Sequence, residues 1–299
     1  MKVLVIVGPT GVGKTSLSVN LAKALDGEII SGDSVQVYKK LDIGSAKITT
    51  DDMEGVPHHL VDFLEPYEEY SVARFQKEVR TKIEEISSRG KLPIICGGTG
   101  LYIKAALTKY EFQENIKRDI ETADKYNELS NDELHQKLKS VDPESAELFH
   151  PNNRRRVLRA VEYFERTKDK ISNRRDNDIY IYNSLIIGLR MNRSDLYDKI
   201  NKRVDIMVED GLIDEVKSLL EYQDNINAIG YNEVFQFLDD KVTLEESVEL
   251  IKMNTRRYAK RQFTWFNNKM DTNWIDIDGL QKKEILNEAI KIVKKLDFI

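Results

Sequence analysis

Gly8-Pro9-Thr10-Gly11-Val12-Gly13-Lys14-Thr15 spaces its glycines, lysine and hydroxyl as G-x-x-x-x-G-K-[ST]. That spacing is suited to phosphate chemistry. Glycines let backbone N–H groups turn toward an anion, and the positive end of a following helix dipole adds attraction. Lys14 contributes a point charge, and the Thr15 hydroxyl is placed to ligate magnesium. A second group of polar residues, Ser31-Gly32-Asp33-Ser34-Val35-Gln36, offers a carboxylate, hydroxyls and an amide. Asp33 suits a general base or a water-mediated magnesium ligand, although Gly-Asp-Ser also reads as a plain turn. Thr99, in Gly97-Gly98-Thr99-Gly100, adds a hydroxyl that could equally cap a helix.

The elements that must position these groups are legible around them. Val3-Leu4-Val5-Ile6-Val7 is a continuous apolar run of the kind that forms a buried parallel strand. Leu17, Leu21, Ala24 and Leu25 follow the phosphate loop at helical spacing. Further strands are expected at 28–31, 92–96, 184–189 and 274–277, separated by helical patterns. The pattern predicts an α/β fold: a P-loop, nucleotide-kinase-like, mostly parallel sheet flanked by helices. Ligands of such sheets bind beyond the carboxyl ends of the strands, so the loops after the first, second and 92–96 strands should face one site.

Residues 111–179 have a different texture, with polar helices and no strand-like run, and read as an all-helical insertion domain between core segments 1–110 and 180–299. Within it, Asn131-Asp132-Glu133-Leu134 and Asp142-Pro143-Glu144 mark helix starts, and the polar stretch 168–178 reads as a mobile loop. A second helical stretch spans about 194–255, punctuated by Asp195, Gly211 and Gly230, and a packing helix covers 282–296.

The chain has 299 residues, a net charge of −5 and 40% apolar residues, as expected for a globular protein. No apolar run approaches the ~20 residues of a membrane helix. Cys96 is the only cysteine, which excludes internal disulfides and cysteine-rich zinc modules and points to a reducing, cytoplasmic location. His58-His59 is a poor metal pair, because neighbouring strand residues point to opposite faces. Asn268-Lys269-Met270-Asp271 matches a guanine-reading motif, but it follows a basic aromatic helix instead of a buried strand. Although the net charge is negative, Arg154-Arg155-Arg156 with Arg159 is a basic cluster. Lys252, Arg256, Arg257, Lys260 and Arg261 form another, beside Phe263, Trp265 and Phe266. Such clusters suit phosphates and stacked bases, or are merely solvated helix faces.

Taken together, these segments resemble the tRNA dimethylallyltransferases, which prenylate an adenine beside the anticodon. The resemblance runs through residues 8–15, 31–39, 42–47, 56–62, 97–102, 142–143, 156–162, 228–233 and 256–266. Its most specific parts are Ser31-Gly32-Asp33-Ser34-Val35-Gln36 and Arg257-Tyr258-Ala259-Lys260-Arg261-Gln262-Phe263-Thr264-Trp265. It implies transfer of a dimethylallyl group from dimethylallyl diphosphate to N6 of the adenine at tRNA position 37. Gly8, Pro9, Thr10, Gly11, Val12, Gly13, Lys14 and Thr15, with Mg2+ on Thr15, would hold the diphosphate, with Arg193 or Arg190 as an added contact.

Asp33 would accept the N6 proton, with Thr99 as its catalytic companion. Asp33, Ser34, Val35, Gln36 and Thr99 would also position the flipped base. Arg155, Arg156, Arg159, Gly230, Tyr231, Arg257 and Arg261 would contact the anticodon stem-loop. No membrane and no obligate protein partner is expected. A P-loop small-molecule or nucleotide kinase is the alternative, because it would share the loop and the magnesium.

Overall fold

Six parallel strands order as β3-β2-β4-β1-β5-β6 in the computed structural model, which describes residues 1–110, 125–126, 128–173 and 179–298. They are β1 (Lys2–Val7), β2 (Gly27–Ser31), β3 (His58–His59), β4 (Leu92–Cys96), β5 (Asn183–Arg190) and β6 (Asn273–Asp276). Each of the five strands expected from apolar runs is present. The two-residue edge strand β3 is not among them: His58-His59, read as neighbouring strand residues, carries no apolar run and is ordered by pairing with Ile29 and Ile30.

Period-two alternation explains how β1 is buried on both faces. Leu4 and Ile6 enter one apolar cluster with Ile29, Ile94 and Ile187, while Val3, Val5 and Val7 enter another with Ile30, Ile95 and Phe75. Helix α1 (Lys14–Ala24) covers the first face through Leu17, Val19 and Leu21. The second face is covered by α3 (Val72–Ser88), which follows the one-turn α2 (Thr50–Met53), and by α4 (Gly100–Leu107).

The chain divides into two compact units, Met1–Lys109 with Ile179–Ile299, and Tyr110–Asp178. The second unit contains α5 (Asn131–Val141), α6 (Pro143–Leu148) and α7 (Arg154–Thr167), packed on Leu134, Leu138, Val157 and Val161. Ser130 caps α5 by a reciprocal box with Glu133, one residue before the expected start, and Asp142 caps α6 with Pro143 in its first turn. The expected helical content at 111–124 and the polar stretch 174–178 lie outside the described residues.

In the first unit, α8 (Arg193–Glu209), α9 (Leu212–Lys217), α10 (Tyr231–Leu238) and α11 (Leu244–Lys269) build a third apolar cluster around Val204, Leu212, Val216 and Tyr231. At 26 residues, α11 is about 39 Å long, enough to run from that cluster to the sheet. It starts at a Thr243–Glu246 capping box. The closing helix α12 (Lys282–Lys295) packs Ala289 and Val293 on the α1 side of the sheet. Among the described residues, no helix is long and apolar enough to cross a membrane.

Candidate active site

The phosphate loop leaves β1 at Val7 and enters α1 at Gly13, whose φ of +101° is one that glycine adopts without penalty. No side chain caps α1 and its first turn carries no acidic residue, so its leading N–H groups remain available to an anion. Lys14 Nζ donates to Pro9 O at 2.9 Å, folding back across the loop. Burial pulls its pKa down to about 8, opposed by the nearby Cys96 and Asp33 and reinforced by Arg203. A lysine at about 8 is still roughly nine-tenths protonated at pH 7, so the cradle keeps its cation. The Thr15 side chain faces the same cavity, and no residue of the chain hydrogen-bonds its hydroxyl among those described.

Gln262, from α11, ties this loop to its neighbour. Its Oε1 accepts the Thr10 N–H at 2.9 Å and its Nε2 donates to Gly98 O at 3.1 Å. The helix can lie this close only because Gly100 lacks a side chain; a Cβ there would meet the Trp265 indole at 2.1 Å. The loops after β1 and β4 are thus held in register by one buried amide.

Asp33 follows β2. Its Oδ1 accepts N–H groups of Val35 at 2.8 Å and Gln36 at 3.3 Å, so the carboxylate is oriented by its own turn. The residue stands where two cavities meet. One, about 490 Å³, contains the phosphate loop; the other, about 260 Å³, is walled by Ile200, Val204, Met207, Ile229 and Ile251. Thr10, Asp33, Ser45, Ala46, Arg203 and Tyr258 line both. Burial lowers the pKa of the Arg203 guanidinium, and the Asp33 charge counters it. No hydrogen bond or ion pair holds Arg203 among the described residues, so its charge is free to meet an anion. Burial and then Asp33 raise the pKa of the Tyr258 phenol, with Thr99 and Gln262 pulling the other way. Thr99 stands at the N-cap of α4, but its hydroxyl caps nothing and is buried beside the Tyr258 phenol.

The structure brings Gly11, Gly13, Lys14, Thr15, Asp33 and Gln36 to one cavity, and Ser34, Val35 and Gly230 to the other. It does not bring Arg193 or Arg190 there. Arg193 lies exposed over the Tyr197 ring, 5.1 Å from its centroid, and Arg190 is a bidentate partner of Asp276. The arginine that reaches the junction is Arg203, two turns and more along α8 from Arg193. Tyr231 also departs from expectation. It is fully buried, with its hydroxyl on Glu215 at 2.7 Å, so its side chain is core and cannot touch RNA.

The aromatics of the basic stretch are likewise internal. Phe266 is fully buried, Trp265 packs over Gly100 and Phe263 packs at a tilt of 49° against Trp274. Lys252 pairs with Asp205 and Arg256 with Asn201, leaving Arg257, Lys260 and Arg261 exposed. On α7, Arg155, Arg156 and Arg159 are exposed, and the Arg156 guanidinium lies 4.1 Å from the Phe149 ring centroid. His59 and Arg89 pair with Glu28, a structural arrangement. Asn268-Lys269-Met270-Asp271 ends α11, where no guanine-reading strand exists.

Comparison with known proteins follows the same outline. The family model described as IPP transferase matches residues 36–269, and that described as isopentenyl transferase matches 1–63. The chain is 51% identical over 297 residues to a tRNA dimethylallyltransferase of Bacillus mycoides, covering 95% of this chain and 93% of the relative. The crystal structure of a tRNA delta(2)-isopentenylpyrophosphate transferase from Staphylococcus epidermidis is 45% identical, with a TM-score of 0.74, covering 98% of this chain and 99% of that one. A eukaryotic dimethylallyltransferase acting on tRNA reaches a TM-score of 0.83 at 32% identity, over 98% of this chain and 80% of that one. A phosphate cradle joined to an oriented carboxylate, on a fold shared at this level of identity, leaves one assignment: the chain belongs to the IPP transferase family.

Proposed function

We propose that this chain transfers the dimethylallyl group of dimethylallyl diphosphate to N6 of the adenine at tRNA position 37, releasing diphosphate. The observation that carries the reading is the shared wall of the two cavities. There Asp33 and Arg203 stand between the phosphate loop on one side and an apolar chamber on the other. A nucleophile entering from the chamber meets a diphosphate leaving toward the loop.

In this reading the cradle holds the leaving group. As the allylic C–O bond breaks, its electron pair passes to the diphosphate, and Lys14, Arg203 and the N–H groups of α1 stabilise the growing charge. N6 forms the new C–N bond, and its proton goes to the Asp33 carboxylate. Thr99 and Tyr258 stand beside Asp33 with hydroxyls able to orient the base. The donor set suits Mg2+: Thr15 offers a hard oxygen. No cluster of three His, Cys, Asp or Glu able to hold a metal occurs among the described residues. Thr15 would hold the ion together with diphosphate oxygens and water. When bound, magnesium supplies charge neutralisation on the leaving group.

The exposed Arg155, Arg156 and Arg159 of α7 would neutralise tRNA phosphates, as would, separately, Arg257 and Arg261 of α11. Replacing both Arg156 and Arg159 by alanine should weaken tRNA binding. It should also flatten the log-affinity against log-salt slope by about 1.5 to 2, measured by filter binding at several salt concentrations. An unchanged slope removes these two residues from the interface.

Lys14 sets a pH dependence. Its charge is present below a pKa of about 8 and lost above it, so diphosphate affinity falls as pH rises through that value. KM for dimethylallyl diphosphate should climb by up to about tenfold per pH unit above 8 in the wild type, and stay flat in Lys14→Arg. A flat wild-type profile to pH 9.5 contradicts this role.

The direct test of the reaction is release of diphosphate from dimethylallyl diphosphate with and without unmodified tRNA. Release that requires tRNA supports the transferase. Consumption of ATP with a small acceptor, and none of dimethylallyl diphosphate, would instead make the chain a kinase.

A further inference from the structure

Residues 42–46 form a loop that reaches the wall of both cavities: Ser45 and Ala46 line each, and Gly44 lines the apolar one. It has no helix or strand of its own; a local turn pairs the Ala46 N–H with Ile43 O at 2.9 Å and the Lys47 N–H with Asp42 O at 2.9 Å, and its other backbone groups need partners elsewhere. One carboxylate takes its first three N–H groups. Glu215, on α9, accepts the N–H of Asp42 at 3.0 Å and of Ile43 at 2.7 Å through Oε2, and the N–H of Gly44 at 3.0 Å through Oε1. The same Oε1 accepts the Tyr231 hydroxyl at 2.7 Å.

Three consecutive amides converging on one anion make a nest turned inward, with the protein supplying its own ligand. Gly44 completes it, because a Cβ there would sit 2.6 Å from the Tyr231 ring. From the opposite side, Gln36 Nε2 donates to Ala46 O at 3.0 Å and to Ser45 O at 3.3 Å.

We infer that Glu215 is a positioning residue of the transfer reaction: by clamping the 42–44 backbone it sets the wall of the apolar chamber in which the acceptor base meets Asp33. Glu215 lines neither cavity itself and acts only through the loop. The inference rests on the transferase reading. It also predicts an asymmetry, since the clamped loop shapes the chamber while the diphosphate cradle, residues 8–15, is built separately on β1 and α1.

Glu215→Gln keeps the size and one acceptor oxygen, but its amide nitrogen cannot accept from an N–H or a hydroxyl. The expected result is a loss of at least about tenfold in kcat/KM for tRNA, with KM for dimethylallyl diphosphate within about twofold of wild type. Tyr231→Phe removes a single bond to the same carboxylate and leaves all three amides held. It should lower the thermal midpoint while leaving kcat/KM for tRNA within about twofold. A purely structural Glu215 would instead give two variants whose activities follow only their folded fractions, and that outcome overturns the inference.

Hydrogen exchange on the wild type gives a check independent of variant folding. The Asp42, Ile43 and Gly44 amides should be protected at least a hundredfold over free-chain rates, and unprotected exchange would mean the clamp does not exist. Inactive wild-type enzyme would sink the transferase reading. Active wild type with unaltered Glu215→Gln kinetics would sink the positioning role alone.

Discussion

Asp33→Asn should lower single-turnover prenyl transfer by roughly a thousandfold, within the 10²–10⁴ that a positioned general base contributes. Asparagine is the sharper substitution because of what Asp33 does locally. Its Oδ1 accepts from Val35 and Gln36, so alanine would remove both the base and the anchor of the turn. Asparagine keeps an acceptor for those N–H groups and loses the capacity to take a proton. tRNA affinity should therefore stay within about twofold, measured by filter binding beside the rapid-quench rate. A variant retaining more than a tenth of wild-type turnover would show that the N6 proton leaves by another route, and Tyr258, beside Asp33, would be the first residue to examine.

Lys14→Ala should have the next largest effect. Removing one donor aimed at a developing charge costs about 3 kcal/mol in comparable sites, or 10²–10³ in rate. Here the lysine sits in surroundings that lower its pKa, and low dielectric strengthens its attraction to a diphosphate. The loss should fall on both kcat and KM for dimethylallyl diphosphate, since the anion is bound in the ground state and gains charge as it leaves. tRNA affinity should be unchanged. Arg203→Ala should act in the same direction. If Lys14→Ala turns over normally while Arg203→Ala does not, the arginine carries the leaving group and the loop serves mainly through its backbone.

Much of the sheet was legible because buried parallel strands are nearly continuous apolar runs. Val3 to Val7 and Leu92 to Cys96 needed no tertiary information. β3 offered no such run: two histidines pair as a sheet edge only because Ile29 and Ile30 present one to them. The phosphate loop and Asp33 were legible because local turns fix them.

What failed were residues whose roles depend on packing. Tyr231 was assigned to RNA through the resemblance of residues 228–233, yet Gly44 opens a slot that buries it completely. Arg193 follows β5 directly, but α8 carries the deeper cation, Arg203, to the junction ten residues later. Its signal was available as helical periodicity: Leu196, Ile200 and Val204 mark the buried stripe of α8, and Arg203 lies three residues after Ile200. The aromatics after Arg257 looked like a stacking platform from spacing alone. Three-dimensional packing gave Trp265 to Gly100, Phe263 to Trp274 and Phe266 to the core.

Prenyl transfer itself is read by nucleoside mass spectrometry of unmodified tRNA incubated with this protein, Mg2+ and dimethylallyl diphosphate. We expect a single added dimethylallyl group on the adenosine next to the anticodon, present with the wild type and absent, at equal reaction time, with Asp33→Asn. No prenylated adenosine with the wild type, or equal product from Asp33→Asn, would contradict it.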